Sequence, residues 1–222
     1  RAFIETIKNG SVNSGSLLVP TPGFSNILEY VGLNPEVDLG IHLTLTSEWK
    51  SLKWRPVSEP VKVPSLVNSD GMFYETKKEL FNRLNYKDVE TEFRAQIEKV
   101  RSSGIDFTHL DSHMFSALSD PKIQEIYIHL GKEYRVPVLL SFNKPLYKCV
   151  KEDDLIFDNV FIANPEHLKD GLSKYYSQVL ESLPAGLNIL LIHPAYDDEP
   201  TKQIMGTESN CGYQWRKEDL DY

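Results

Sequence analysis

The chain has 222 residues, 24 Lys and Arg against 32 Asp and Glu, and a formal charge of −8. Lysines and arginines are scattered among the acids, which excludes the basic patch that a nucleic-acid partner requires and favours a neutral or cationic small substrate. No apolar run approaches the ~18 residues of a membrane helix, and the length suits one domain spanning residues 1–222.

The stretch from Ala2 to Gly10 reads as the end of a helix, with Phe3, Ile4 and Ile7 on one face and Gly10 as its stop. A leading strand, a signal peptide or both are therefore expected upstream of Arg1. Residues 14–20 read as a short strand, residues 24–33 as a short helix, and residues 37–45 as a strand carrying His42. The long, proline-bearing connection over residues 50–76 has the length of a functional loop or lid. Val89, Phe93, Ile97 and Val100 then recur at helical spacing up to Gly104.

A strand over residues 105–113 carries Asp111 and His113, and a helix follows over residues 121–134. Strands are expected at residues 136–141 and 158–162, a helix over residues 168–183, and a last strand ending at His193. The order strand, helix, strand, helix predicts right-handed crossovers and an α/β fold with mainly parallel strands, closed into a distorted (β/α) TIM-like barrel. In such folds the carboxyl ends of the strands share one rim, where ligands and catalytic groups collect.

His42, His113 and His193 each stand at the downstream end of a predicted strand. Period-two alternation puts His42, Thr44 and Thr46 opposite Ile41, Leu43 and Leu45, and puts His109, Asp111 and His113 together on one face. That face is too polar for ordinary core. Imidazoles and a carboxylate are the usual ligands of a catalytic divalent cation, and an Asp beside a ligand His often orients it. His193, held at a strand end by Pro194, has the chemistry of a general acid for a leaving amine. Taken alone, His42 reads as a hydrogen-bonded structural residue and not as a ligand. His129 and His167 fall on predicted helices and read as solvated or capping residues, and the run Asp197, Asp198 and Glu199 as surface. Trp49, Trp54, Phe73 and Tyr74 can stack on a sugar ring or anchor a loop. Cys149 and Cys211 show no metal-ligand spacing.

Gly40-Ile-His-Leu-Thr-Leu-Thr46, Thr108-His-Leu-Asp-Ser-His113, the Asp70-Gly71-x-Phe73 turn and His193-Pro-Ala-Tyr196 together resemble the YdjC-like carbohydrate deacetylases, which include chitooligosaccharide deacetylases. The resemblance runs from Arg1 to about Tyr196. It implies a distorted (β/α) barrel and removal of an N-acetyl group from an amino-sugar mono- or oligosaccharide, with a magnesium or zinc ion as cofactor. It makes His42 and His113 metal ligands and His193 the proton donor, and Asp111, as the carboxylate that orients a ligand His, is expected to be catalytic with them. His109, Trp49, Trp54 and Tyr196 are expected to meet the substrate. The family's acidic pair, source of a third ligand and a general base, would lie just ahead of Arg1.

Two further departures are visible. Phe115 stands where many members carry another histidine, and Val138-Leu-Leu140 where many carry an arginine. The expected partner is a small carbohydrate, with no nucleic acid or membrane, in the cytoplasm and with a homo-oligomer allowed. The alternatives are a barrel that binds carbohydrate without turnover, and a metal-dependent hydrolase acting on another amide.

Overall fold

A computed structural model describes residues 2–205 and 212–222. In chain order the elements are α1 (Ala2–Lys8), β1 (Gly15–Leu17), α2 (Phe24–Leu33), β2 (Leu39–Leu43), α3 (Lys77–Phe81), α4 (Tyr86–Ser102), β3 (Leu110–Ser112), α5 (Pro121–Tyr134), β4 (Leu140–Ser141), β5 (Ile156–Phe157), β6 (Asn159–Ile162), α6 (Pro165–Leu168), α7 (Leu172–Glu181), β7 (Asn188–Leu191), α8 (Glu199–Met205) and α9 (Tyr213–Asp221). The chain divides into two compact units. The larger holds residues 14–140 and 144–155; the smaller holds residues 1–13, 141–143 and 156–222.

The larger unit is built on a parallel sheet in the order β1-β2-β3. Its register sets Gly15 beside Leu39 and His42 beside Asp111. Ile41, Leu43, Leu45 and Leu110 are fully buried, as are Val89, Phe93, Ile97 and Val100 of α4. The helix starts where Asn85 accepts a hydrogen bond from the Lys87 amide and stops before Gly104, whose φ of 77° suits a residue without Cβ. Thr44 and Thr46, on the opposite face from Ile41 and Leu43, are buried too. Within the sheet, Ser16, His42 and Asp111 are half-buried.

The next extended segment leaves the sheet early. Only Leu110 and Val138 form a bridge there, with Leu110 N donating to Pro137 O at 3.0 Å and Leu139 N to Leu110 O at 2.9 Å; the Tyr127 phenol braces it, donating to Leu110 O at 2.7 Å and lying 3.0 Å from Leu139 N, and Pro137 has no amide to extend the ladder upstream. The closed barrel expected from the strand order is accordingly not what the described strands form. They fall into three small sheets of three, two and two strands, and closure needs each strand paired on both sides.

The connection over residues 50–76 is packed, in place of the open lid its length suggests. Trp54, Val63, Leu66 and Phe73 are buried, and the Asn68 to Phe73 turn is closed by Asn68 N donating to Met72 O at 2.9 Å.

In the smaller unit β6 and β7 pair in parallel, Asn159 beside Asn188 and Ile162 beside Leu191. Ala163, Leu172 and Tyr176 form its buried cluster, backed by Leu168, Tyr175, Leu190, Ile192 and Trp215. Among the described residues no helix is long and apolar enough to cross a membrane.

Candidate functional site

Strand register creates the site. Pairing of His42 with Asp111 across β2 and β3 brings His42 Nδ1 to 2.6 Å from Asp111 Oδ1. One step beyond β3, His113 Nε2 lies 2.8 Å from Glu48 Oε2. The two imidazoles meet edge to face, with ring centroids 5.2 Å apart and planes at 74°. Each ring is thus tied through one nitrogen to its own carboxylate. Hydrogen bonding at one nitrogen fixes which tautomer the other presents.

Electrostatics separate the two rings. Burial works against a charge on His42, but the Asp111 carboxylate more than offsets it, and the imidazole titrates above its ordinary value. Burial likewise works against the Asp111 anion, yet His42 holds that carboxyl below its ordinary range. For His113 burial wins over the Glu48 carboxylate, and the ring titrates below its ordinary value.

A pH dependence follows. Asp111, lowered on folding, contributes stability above the ordinary carboxyl value of 3.8 and loses it as pH falls through its folded value. His42, raised on folding, contributes below the ordinary imidazole value of 6.5 and loses it as pH rises through its folded value. Urea unfolding in chelator-treated buffer is expected to show the widest gap between the native chain and Asp111→Asn between those bounds. A gap that does not vary with pH would show that charge on this pair does not stabilise the fold.

The segment that carries Glu48 is held from three sides. Gln96 of α4 accepts from Thr44 N at 2.9 Å and donates to Thr44 O at 2.7 Å, substituting for a strand neighbour just past the end of β2. Ser47 N donates to Tyr74 O at 2.8 Å, and Ser47 Oγ accepts from Trp54 N at 3.1 Å. Trp54 donates its indole N–H to Thr46 O at 3.0 Å, and its buried ring stands edge-on to His113 with centroids 6.2 Å apart. Trp49 packs edge-on against Trp54 at 5.8 Å. Trp54 therefore walls His113 and has no open face, while Trp49 is half-buried.

Downstream of His113 the backbone is strained. Met114 and Phe115 both take left-handed conformations, with φ of 52° and 53°, a region that costs non-glycine residues roughly 1–2 kcal/mol each. Lys77 holds the turn, its ammonium donating to Met114 O at 3.0 Å and Ser119 Oγ at 3.2 Å. Lys144 Nζ lies 4.2 Å from the centre of the Phe115 ring. Paired strain directly after a site residue is the pattern expected where the surrounding contacts over-determine a functional geometry.

The donor chemistry suits a divalent cation in kind: two imidazoles, each oriented by a carboxylate. In number it is short, since a catalytic metal takes three protein ligands and no group of three His, Cys, Asp or Glu among the described residues can hold an ion.

The model of the YdjC-like protein family matches residues 1–222. The chain belongs to the YdjC-like family. Its relatives include proteins named carbohydrate deacetylase from Thermoanaerobacter pseudethanolicus, 30% identical over 92% of this chain and 78% of theirs, and from Listeria monocytogenes serotype 4a, 31% identical over 91% and 78%. A crystal structure from Enterococcus faecalis V583, of a protein assigned to cellobiose-phosphate cleavage, superimposes with a TM-score of 0.79 at 23% identity over 99% of this chain and 82% of that one. That likeness is one of fold.

Two remaining candidates of this YdjC-like chain lie in the smaller unit. His193 is exposed just past β7, its backbone N–H donating to Asp219 Oδ2 at 2.7 Å, and Asp219 also accepts from the Tyr176 phenol. Tyr196 donates its phenol to Glu5 Oε2 at 2.5 Å. His109 makes its contacts with Ser16 and Thr108. His167 caps α6, its Nδ1 accepting from Asn164 N, and stacks on Tyr175; His129 is exposed on α5 beside Glu133. Cys211 lies outside the described residues.

Sequence reasoning passed over Glu48. The signal was present, because continuing the alternation of His42, Thr44 and Thr46 by two residues reaches Glu48 on the same side.

Proposed function

We propose that this protein is a carbohydrate deacetylase that hydrolyses the N-acetyl amide of an amino-sugar mono- or oligosaccharide. The observation that carries the reading is the pair of carboxylate-backed imidazoles, His42 with Asp111 and His113 with Glu48, at the downstream ends of adjacent parallel strands. Relatives named carbohydrate deacetylase support the substrate class. In the reaction a water oxygen bonds to the acetyl carbon, the carbon–nitrogen bond breaks, and the water's protons pass to the leaving amine and to solvent or base; acetate and a free amino sugar result.

The chain's own residues serve orientation and proton control. Asp111 holds the His42 Nδ1 proton, which leaves Nε2 with its lone pair. Glu48 accepts the Nε2 proton of His113, which leaves Nδ1. Trp54 stands edge-on to the His113 ring and keeps bulk water from that side of it, which strengthens the polar contact to Glu48. A magnesium or zinc ion held by these two nitrogens, with a third donor, would when bound polarise the acetyl carbonyl and acidify water. His193 carries the proton-donor role that the family resemblance gives it.

Acetate release from N-acetylglucosamine and its oligomers, with and without chelator and with added magnesium or zinc, tests the reading. Turnover that chelator removes and metal restores is expected. No acetate from any N-acetyl sugar under any of these conditions would defeat it, and sugar binding without turnover would make the protein a carbohydrate-binding protein without catalysis. Loss of turnover in His193→Ala checks the proton donor.

A further inference from the structure

The chain leaves β7 after Leu191, and beyond it the amides of the His-Pro-Ala element go to a helix. His193 N donates to Asp219 Oδ2 at 2.7 Å and Ala195 N to Arg216 O at 2.8 Å. Pro194, between them, has no amide and a fixed φ. Every backbone N–H of residues 193–195 is thus held by α9. The helix is itself fastened to α7. Asp219, 4% exposed, accepts at its other oxygen from the phenol of Tyr176, which is fully buried. Glu218 Oε2 accepts from Leu172 N at 2.8 Å, serving the start of α7, where Gly171 supplies no side-chain cap. Trp215 packs against the cluster of Ala163, Leu172 and Tyr176.

We infer that Asp219 and Tyr176 are positioning residues that fix the backbone bearing the His193 imidazole, which makes α9 the mount of that side chain. His193 is exposed, so packing gives its ring little orientation and the backbone beneath it sets its aim. A buried carboxylate is costly unless its oxygens are hydrogen-bonded, and the two partners of Asp219 divide the work. Oδ1 is tied to a ring that the core of this unit already holds, and Oδ2 is thereby directed at the His193 amide. Pairing that bond with the one from Ala195 N to Arg216 O constrains both ends of a three-residue element whose middle is already stiff. Asp219 and Arg216, three apart, lie on one side of the helix, so a single helix face grips the whole element. The kinetic consequence rests on the hydrolysis and the proton-donor role proposed above; the hold on the backbone does not.

Amide hydrogen exchange of the full chain reads the hold without reference to activity. Asp219→Ala is expected to speed exchange at the His193 amide at least about tenfold, as for the loss of one hydrogen bond, while the amides of the β6–β7 pair exchange at native rates. Tyr176→Phe, which keeps the ring, is expected to speed it about threefold. Asp219→Asn retains an acceptor for the amide and is expected to restore protection. Asp219→Ala is also expected to lower kcat for acetate release about tenfold with KM within about twofold, and to lower it no further once His193 is alanine, because a residue that acts through an imidazole has no effect in its absence. A His193 amide exchanging at the native rate in Asp219→Ala, or in Tyr176→Phe where only that variant folds, would overturn the inference. So would a loss in the double variant equal to the sum of the single losses, the mark of a merely structural role. Faster exchange at His193, with no acetate released by the native chain or any variant, would uphold the mount and sink the deacetylase reading.

Discussion

His113→Gln is expected to lower acetate release at least about 100-fold, the low end of what a positioned imidazole contributes to catalysis, while the protein stays folded. The choice of glutamine matters. Its amide N–H can still donate to Glu48, which holds His113 Nε2 at 2.8 Å, so the partner of that half-buried carboxylate is preserved and only the second ring nitrogen is lost. His113→Ala removes the ring altogether. It leaves Glu48 with one partner fewer, deletes the edge contact to Trp54, and is expected to cost a further ~1–3 kcal/mol of stability for the lost hydrogen bond. His42→Ala should match the activity loss, since His42 is the other half of the pair. Steady-state acetate release, urea unfolding and elemental analysis of bound divalent metal check all three together. Activity of His113→Gln within tenfold of the native chain would remove the imidazole pair from the chemistry.

Local pattern made α1, α2, α4, α5, α7 and the site strands legible. Val89, Phe93, Ile97 and Val100 mark α4 because a single buried stripe at helical spacing leaves few alternatives, and all four are fully buried. His42 and Asp111 could be placed on polar strand faces from alternation, but their 2.6 Å contact depends on a register between segments 69 residues apart, which no local period encodes. The left-handed pair Met114 and Phe115 carries none of the usual residues for such a backbone, being imposed by tertiary contacts such as the Lys77 ammonium.

Asp88, Glu92 and Gln96 were hidden for a different reason. At successive intervals of four they read as the solvated face of an amphipathic helix, yet all three are buried, because the connection over residues 50–76 covers that face as well.

That covered face yields a second expected loss of stability. Glu92→Ala is expected to destabilise the protein by roughly 1–3 kcal/mol, the cost of leaving hydrogen-bond donors without their acceptor. Glu92 Oε1 accepts from Val57 N and Gln96 Nε2, at 2.9 and 2.8 Å, and Oε2 accepts from Ser58 N at 2.9 Å. Alanine leaves two half-buried amides without an acceptor and frees Gln96. Glu92→Gln offers no escape, since either flip of its amide sets an NH2 group against a backbone N–H, and it is expected to cost roughly 1–3 kcal/mol. Burial raises the Glu92 carboxyl above its ordinary value of 4.5 despite these donors. A raised value means the folded state holds the proton more tightly, so this contribution is full below pH 4.5 and fades as pH rises through the folded value. The stability gap between the native chain and Glu92→Ala should therefore narrow on going from acid to neutral pH, read as the shift in urea midpoint at constant slope. Gln96 links this to function: it grips Thr44 N and O two residues beyond His42, so a Glu92 variant that frees it should lose turnover along with stability. A Glu92→Ala chain with native midpoint and native turnover would show that the covered polar face of α4 neither supports the fold nor steadies the segment leading to Glu48.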